Sequence, residues 1–550
     1  MSDRLNISDA LARQATERPD AIAIHEPVKA QGEGVPVYRA FSYRTLETTC
    51  DEIARGLLAV GMVPGTRVAV MVKPSFELFA LTFGLFRAGM VPVLIDPGIG
   101  VKRMGRCLDE AQVGAFIGIP AAHIARLVFG WGRRHIKTLI TVGRFRLWGG
   151  QSLLRVRAAA KNWTKPLPAT RGADLAAILF TSGSTGSPKG VCYQMRHFIE
   201  QTELIRSIYQ IKPGEVDLPT FPLFALFDPA LGMTTVIPMM NPTKPAKANP
   251  KILSSTIDAF GVTNMFGSPA LLNTLSRFCD QDERHLSTLK RVISAGAAVP
   301  SDTIARLRRW LPSDAAINTP YGATECLPVA TANDALLMGK TRLRTADGAG
   351  VCVGRVVPPN LVRIIEITDE VINTWADVNE LETGQIGEIT VAGPTTTQRY
   401  FAREEANQLA KIEDVDLGMN VHRMGDVGYL DDDGLLWFCG RKKHRVVGVD
   451  DTYFSVPIES VFNTHPDVYR SALVALDTDG RPVPGLCVEL ESGATRDWGV
   501  IRAELVELGQ RRPLTSDITE FFCHKAFPVD IRHNAKIERE QLSQWAMRQR

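Results

Sequence analysis

Apolar positions along the first hundred residues switch between two periods. Over positions 45–60 they recur near helical spacing, at Leu46, Ile53, Leu57 and Leu58, and Gly61 and Pro64-Gly65 close the run. The stretch RVAVMV at 67–72 is short and rich in β-branched residues, the pattern of a buried strand. Positions 77–88 return to the helical pattern and 91–95 to the strand pattern. Such alternation predicts an α/β fold with a largely parallel sheet. Much later, DDDGLLWFCGRKKHRVV at 431–447 predicts a hairpin turning at Asp433-Gly434, followed by a basic stretch. Beyond it lie a helical pattern at 457–464 and strand patterns at 471–476 and 486–490. We place a domain boundary there, giving units 1–440 and 441–550.

A chain of 550 residues exceeds one compact core, which agrees with more than one domain. Its net charge of +3 gives no basic footprint of the kind a nucleic-acid binder carries. The nine cysteines show neither metal-ligand spacing nor a disulfide framework. With no apolar signal segment at the N-terminus, a cytoplasmic location is expected. The most apolar window, 221–240, contains Asp228 and three prolines, so it reads as the wall of a buried apolar pocket rather than a membrane span. Positions 111–173 hold eleven Lys or Arg residues, no Asp or Glu, and Trp131, Trp148 and Trp163. A solvated basic face over core tryptophans is the simpler reading. The other is a surface that lies against anionic lipid or an acidic partner.

The run TSGSTGSPKG at 181–190 comes directly after the apolar stretch 176–180. Gly183, Gly186 and Gly190 allow backbone N–H groups to approach phosphate oxygens closely. Thr181, Ser182, Ser184 and Thr185 add hydroxyl donors, and Lys189 adds a positive charge. This is not a GxxxxGK(S/T) loop, because Lys189 stands between Pro188 and Gly190. Further along stand SAGAAVP at 294–300, YGATE at 321–325, HRMGDVGYLDDDG at 422–434, GRKKHR at 440–445 and FPVDIRHNAKIERE at 527–540.

Together these motifs resemble the adenylate-forming superfamily of acyl-CoA synthetases, luciferases and nonribosomal adenylation domains. Its phosphate signature, (S/T)SG(S/T)TGxPKG, is matched at every fixed position, and the likeness runs from Ala10 to Leu542. The resemblance implies a large N-terminal adenylate-forming domain of layered sheets and helices, with a small, mobile α+β C-terminal domain as its lid. It implies ATP and Mg²⁺ as cofactors. Thr181 to Gly186 and Lys189 would cradle phosphates. Gly296, Ala297, Tyr321 and Gly322 would lie at the adenine, with the Tyr321 ring stacked on the purine. Thr324 would contact phosphate, and Glu325 would offer Mg²⁺ a hard oxygen ligand. Asp426 would accept both ribose hydroxyls and Arg441 would reach the ribose. Met424 stands where the family has Thr. Lys443 would be the hinge, and Lys536 the catalytic cation, with Glu325 and Thr185 completing the catalytic set. A cation about 4 Å from the developing charge contributes about 4 kcal/mol at an effective dielectric of about 20.

Two departures bear on the fate of the adenylate. In PLFALFD, Ala225 stands where acyl-CoA synthetases place a His. Counted without gaps, Asp450, Asp451 and Thr452 stand where they place Gly-Tyr-Arg or Gly-His-Arg, so a carboxylate occupies the path of pantetheine. Finer texture, in FPLFALFDPALGMTTVIPMMNP, YGATECLPVA and GVCVGR, resembles the β-lactone synthetases of bacterial long-chain olefin biosynthesis. In that family the substrate is a long-chain 2-alkyl-3-hydroxyalkanoic acid, whose own 3-hydroxyl displaces AMP. The family works beside a condensing enzyme, a reductase and a decarboxylase. The alternatives are a long-chain fatty-acyl-CoA synthetase, an enzyme that loads a carrier protein, and an inactive lipid-binding or scaffold relative. The full set Lys189, Glu325, Asp426, Arg441 and Lys536 argues against the last. For the base that takes the hydroxyl proton, His197, His422, His444 and His533 are candidates on residue type alone.

Overall fold

The computed structural model describes the chain apart from residues 1–4, 30, 31, 33, 144, 146, 182–187, 450, 479 and 530–536. The alternating patterns of the first hundred residues build one side of a seven-stranded sheet. Its order is Gln151–Ser152, Thr138–Thr141, Ala115–Gly118, Arg67–Met71, Val91–Ile95, Leu175–Thr181, Lys189–Gln194. All pairs are parallel except the last, which forms a hairpin. Helices Tyr43–Ala59 and Phe76–Arg87 cover one face through Leu46, Ile53, Phe79 and Phe83, all buried. Helix Val101–Glu110 helps to close the other, packing with Val93, Phe116 and Trp131. A sheet covered on both faces explains why its strands read as short apolar runs rather than as alternations.

A fourteen-stranded sheet forms the second layer. Four neighbouring strands, Val216–Pro219, Asn264–Phe266, Arg291–Ile293 and Ala316–Ala323, run parallel. From Cys326–Asn333 onward pairing turns antiparallel and continues to Met419–Leu430 and Leu435–Arg441. The turn of this last hairpin lies where the sequence places it, with Gly434 at φ +71°. The 221–240 window is cut by its prolines into two one-turn helices, Pro222–Ala225 and Asp228–Leu231, and a short strand, Thr234–Val236.

After Arg441 the chain makes one 3₁₀ turn, Lys442–His444. It then builds a three-stranded sheet of Val468–Thr478, Arg481–Leu490 and Phe521–Cys523. Helices Ser455–Phe462 and Trp498–Gln510 pack on it with a core of their own, including Ile458, Phe462, Leu473 and Leu505. Contacts back to the larger body include Arg512 to Asp347 at 2.7 Å and Arg445 to Asp369 at 3.4 Å.

Candidate active site

Asp426 owes its position to a distorted strand. Met419–Leu430 pairs with Leu435–Arg441 so that Asp426 faces Arg441. On its other side the register with Gly387–Ala392 slips between Glu388 and Thr390, and within that bulge Gly425 adopts φ +64°. A side chain there would strain the backbone, so the Gly of the motif re-aims the residue next to it. Arg423 pins the same strand: its Nη2 lies 2.7 Å from Glu388 Oε2, both side chains buried, and its Nη1 donates to the Glu370 carbonyl at 2.8 Å. Lys442 reaches the same carboxylate at 3.2 Å. Buried ions so paired are costly to separate, because loss of one leaves the other uncompensated.

Both oxygens of Asp426 are engaged. Tyr321 donates its hydroxyl to Oδ2 at 2.7 Å, and Arg441 Nη1 lies 2.8 Å from Oδ1. Burial, and then the Asp426 charge, hold the Tyr321 phenol well above its usual range. The Asp426 charge raises Arg441 in turn.

Glu325 lies in the turn joining Ala316–Ala323 to Cys326–Asn333. Gly322 belongs to this hairpin because a Cβ there would lie 2.6 Å from the Cys326 carbonyl oxygen. Tyr400 donates its hydroxyl to Glu325 Oε1 at 2.7 Å. Lys189 Nζ stands 4.9 Å and Lys411 Nζ 5.8 Å from the Tyr400 ring centroid. Lys411 donates to the Thr397 carbonyl, and Thr397 bonds the Glu325 carbonyl through its N–H at 2.8 Å and its hydroxyl at 3.0 Å. Tyr193 donates to the Thr324 carbonyl at 2.5 Å. Burial pulls Lys411 down to about 8 and also lowers Lys189, while the Glu325 charge opposes the shift in both.

The structure thus brings Tyr321, Asp426 and Arg441 into one cluster, and Glu325, Thr324 and Lys189 into another. The Glu325 charge is felt at Arg441, which links the two. Gly296, at φ +94°, and Ala297 lie just past the C-terminal end of Arg291–Ile293, the end of a parallel sheet where ligands bind. Beside them the buried Ser294 hydroxyl has no hydrogen-bond partner among the described residues. Thr181 and Lys189 pair across the hairpin that brackets the glycine-rich loop. Ser182, Gly183, Ser184, Thr185 and Gly186 lie outside the described residues, as do Asp450, His533 and Lys536. Among the described residues no group of three or more His, Cys, Asp or Glu could hold a metal alone. Glu325 offers a single hard oxygen ligand of the kind Mg²⁺ takes alongside phosphate oxygens.

Of the histidines, His197 caps its own helix, its Nδ1 accepting the Gln194 N–H at 3.0 Å, and burial pulls it down to about 4. His422 holds Nδ1 3.0 Å from the Ala410 carbonyl, and burial lowers it well below the usual value; His444 is pulled down to about 3 by desolvation. All three are neutral at pH 7. Ala225 is buried, whereas Asp451 and Thr452 are exposed.

Sequence reasoning missed Tyr193, Thr397, Tyr400 and Lys411, which stand in none of the motifs. It also missed a buried acid pair. Asp217, on Val216–Pro219, accepts from Asn264 Nδ2, and Asp228 Oδ2 accepts from the Thr235 hydroxyl at 2.8 Å. The two carboxyls hydrogen-bond each other, and burial pushes Asp217 up to about 7 and Asp228 well above its usual range. Such a pair shares a proton at neutral pH.

The model of a family described as AMP-binding enzyme matches residues 11–401. An olefin beta-lactone synthetase of Xanthomonas campestris pv. campestris is 50% identical over 555 residues, covering 100% of this chain and 99% of the relative. One from Stenotrophomonas maltophilia is 50% identical over 551 residues, covering 99% of each. Among solved structures, the anthranilate CoA ligase AuaEII in complex with anthranoyl-AMP superposes with a TM-score of 0.79 at 16% identity, covering 99% of this chain and 98% of that one; this likeness concerns the fold. With a family model spanning most of its length and full-length relatives half identical to it, the chain belongs to the AMP-binding enzymes, beside the olefin beta-lactone synthetases.

Proposed function

We propose that this enzyme adenylates a long-chain 2-alkyl-3-hydroxyalkanoic acid with ATP and then closes the acyl-AMP to a β-lactone. The observation that carries this reading is end-to-end similarity, at 50% identity, to proteins named for that product. The buried Ala225, at the position where CoA ligases carry a His, supports it.

In the first step a carboxylate oxygen of the substrate attacks the α-phosphorus, and the bond to the diphosphate breaks. Two anions must meet, so the chain's contribution is cationic. Lys189 and Lys536 would supply it, and residues 181–186 would cradle the phosphates through N–H and hydroxyl groups. Glu325 would hold Mg²⁺, which neutralises charge between phosphate oxygens when bound. Tyr400 orients that carboxylate, and Thr397 holds the Glu325 backbone carbonyl. Asp426 accepts the ribose hydroxyls, with Arg441 beside it, and Tyr321 and the 294–297 segment receive the adenine. The polar atoms suit a nucleoside: Asp426 is already aimed by two donors, and the Ser294 hydroxyl is a buried group awaiting a partner. Rotation about Lys443 would carry 441–550 as a lid over 1–440.

In the second step the 3-hydroxyl oxygen attacks the acyl carbon, the acyl–phosphate C–O bond breaks, and AMP leaves with the electron pair. The hydroxyl proton passes to a base or to the departing phosphate. Attack from within the same molecule gains effective molarity, so no thiol is required. His197 and His422 each have a ring nitrogen engaged, and burial lowers both and His444, which makes these three weak proton acceptors.

The test is to incubate enzyme, ATP and Mg²⁺ with a 2-alkyl-3-hydroxy acid, with and without CoA, and to identify products by NMR and mass spectrometry. We expect lactone, AMP and diphosphate in both tubes at equal rates. A plain fatty acid should stop at acyl-AMP. An acyl-CoA thioester with no lactone would overturn the reading in favour of a fatty-acyl-CoA synthetase. A condensing enzyme, a reductase and a decarboxylase would then be the working neighbours of the lactone-forming step.

A further inference from the structure

The acid-free segment builds an exposed face that combines aliphatic prongs with unpaired cations. Helix Pro120–Phe129 buries His123 but presents Ile124, Leu127, Val128 and Phe129 to solvent, with Val128 70% exposed. The loop after Thr138–Thr141 adds Phe145 and Leu147, the latter 83% exposed. Ring contacts tie the two together: His123 stacks on Trp148 with centroids 4.8 Å apart, and Phe145 meets Trp148 edge-on at 5.8 Å. The tryptophans therefore divide. Trp131 is core, while Trp148 is half-buried and braces the prongs.

Cations rim this face. Arg133, Arg134 and Lys137 come just after the helix and are exposed. Helix Val101–Glu110, joined to it by the Trp131 Nε1 bond to the Val101 carbonyl at 3.1 Å, adds exposed Lys102, Arg103 and Arg106. None of these six forms an ion pair with a described residue, whereas Arg157, further along the segment, is taken by Glu52 at 2.6 Å. Asp109 and Glu110 end the Val101 helix one turn past Arg106, and Glu110 is occupied by Arg403 at 2.7 Å.

We propose that this face docks the enzyme on an anionic lipid surface. A solvated basic face needs no aliphatic side chains standing out into water, and a protein interface would gather them in a flat or concave patch. Prongs on a convex helix, ringed by long flexible cations, suit a deformable, negatively charged bilayer: the prongs enter the headgroup boundary and the cations reach the phosphates. No described helix is long and apolar enough to cross a membrane, so the chain lies on the surface. The parallel sheet gives the location a use. The loop after Thr138–Thr141 and the glycine-rich loop after Leu175–Thr181 leave the same end of the sheet, four strand spacings or about 19 Å apart. An acid drawn from the bilayer thus arrives on the phosphate side. The inference rests on the surface and not on the identity of the product.

Flotation of the full chain with vesicles tests it. Wild type should float with phosphatidylcholine–phosphatidylglycerol vesicles, stay behind with phosphatidylcholine alone, and dissociate as salt is raised. The pairs Leu127→Asp with Val128→Asp, and Arg133→Glu with Arg134→Glu, should each lower binding about tenfold while thermal stability and acyl-AMP formation from a short soluble acid are unchanged. The salt series on wild type decides the matter even where a variant folds poorly. Failure of wild type to float with anionic vesicles, flotation indifferent to salt and to both pairs, or selective capture by an acidic protein in place of vesicles would overturn the proposal.

Discussion

The nucleotide side and the 221–240 region solve opposite problems in one sheet system. On the nucleotide side charge is concentrated and paired: Asp426 lies between Tyr321 and Arg441, and Glu388 between Arg423 and Lys442. In and around 221–240 charge is suppressed: Asp217 and Asp228 are buried with no cation in contact among the described residues, and they keep a proton instead. The first arrangement orients a carboxylate for use. The second makes two acids share a proton in a hydrogen-bonded bracket that ties Asp228–Leu231 to Val216–Pro219 behind the proposed acyl wall. Substitutions should therefore fail differently. On the nucleotide side they should remove chemistry, and around the bracket they should change stability and its pH response.

The largest effect belongs to Lys536→Ala. Loss of a cation worth about 4 kcal/mol to the transition state corresponds to about three decades in rate. Acyl-AMP formation should fall by that amount while the melting temperature holds. A rate within about tenfold of wild type would remove Lys536 from the chemistry.

Next is Asp426→Asn, which exchanges a carboxylate for an amide at the proposed ribose position and leaves Arg441 without its ion partner. A hydrogen bond to a charged group is worth about 2 kcal/mol, so ATP affinity should fall about thirtyfold. Calorimetric titration with ATP reads this directly. Unchanged affinity would place the ribose elsewhere and leave the paired charge of Asp426 a purely structural feature.

The two regions were also unequally legible. Nucleotide-side residues sit in tight hairpins, where turn chemistry and function share a few contiguous letters: YGATE, the bulged MGD and the GR at a strand end. Local rules reach that far. Asp217 meets Asn264 because two parallel strands are in register across 47 positions, and parallel register leaves no turn signal in the chain. Lys411 reads as an ordinary surface lysine in LAKIED; its burial comes from pairing with His422 on a central strand. The prolines of 221–240 announce breaks but not the helices between them.

The smallest effect is also the most discriminating, and it concerns Asp228→Asn. In the folded chain both acids of the bracket hold protons more tightly than unfolded carboxylates do, Asp217 up to about 7 and Asp228 well above its usual range. Below the ordinary carboxylate range both states are protonated and the bracket's full contribution is present. Above it the unfolded chain releases protons that the native chain keeps, so stability falls as pH rises until the native groups ionise as well. Each retained proton contributes about 1.4 kcal/mol per pH unit to that fall. Between pH 7 and 8 the pair still holds a proton that the unfolded chain has released, and the substitution removes one of its two titrating members. Asn at 228 does not titrate in this range yet can still donate to Asp217 and accept from Thr235. The variant should therefore lose less thermal stability than wild type from pH 7 to 8, by about 1 °C, with ATP affinity untouched. Melting curves of both proteins at the two pH values give the answer. Parallel pH slopes would show that the bracket holds no extra proton, and the contrast between paired charge and suppressed charge would fail on its second half.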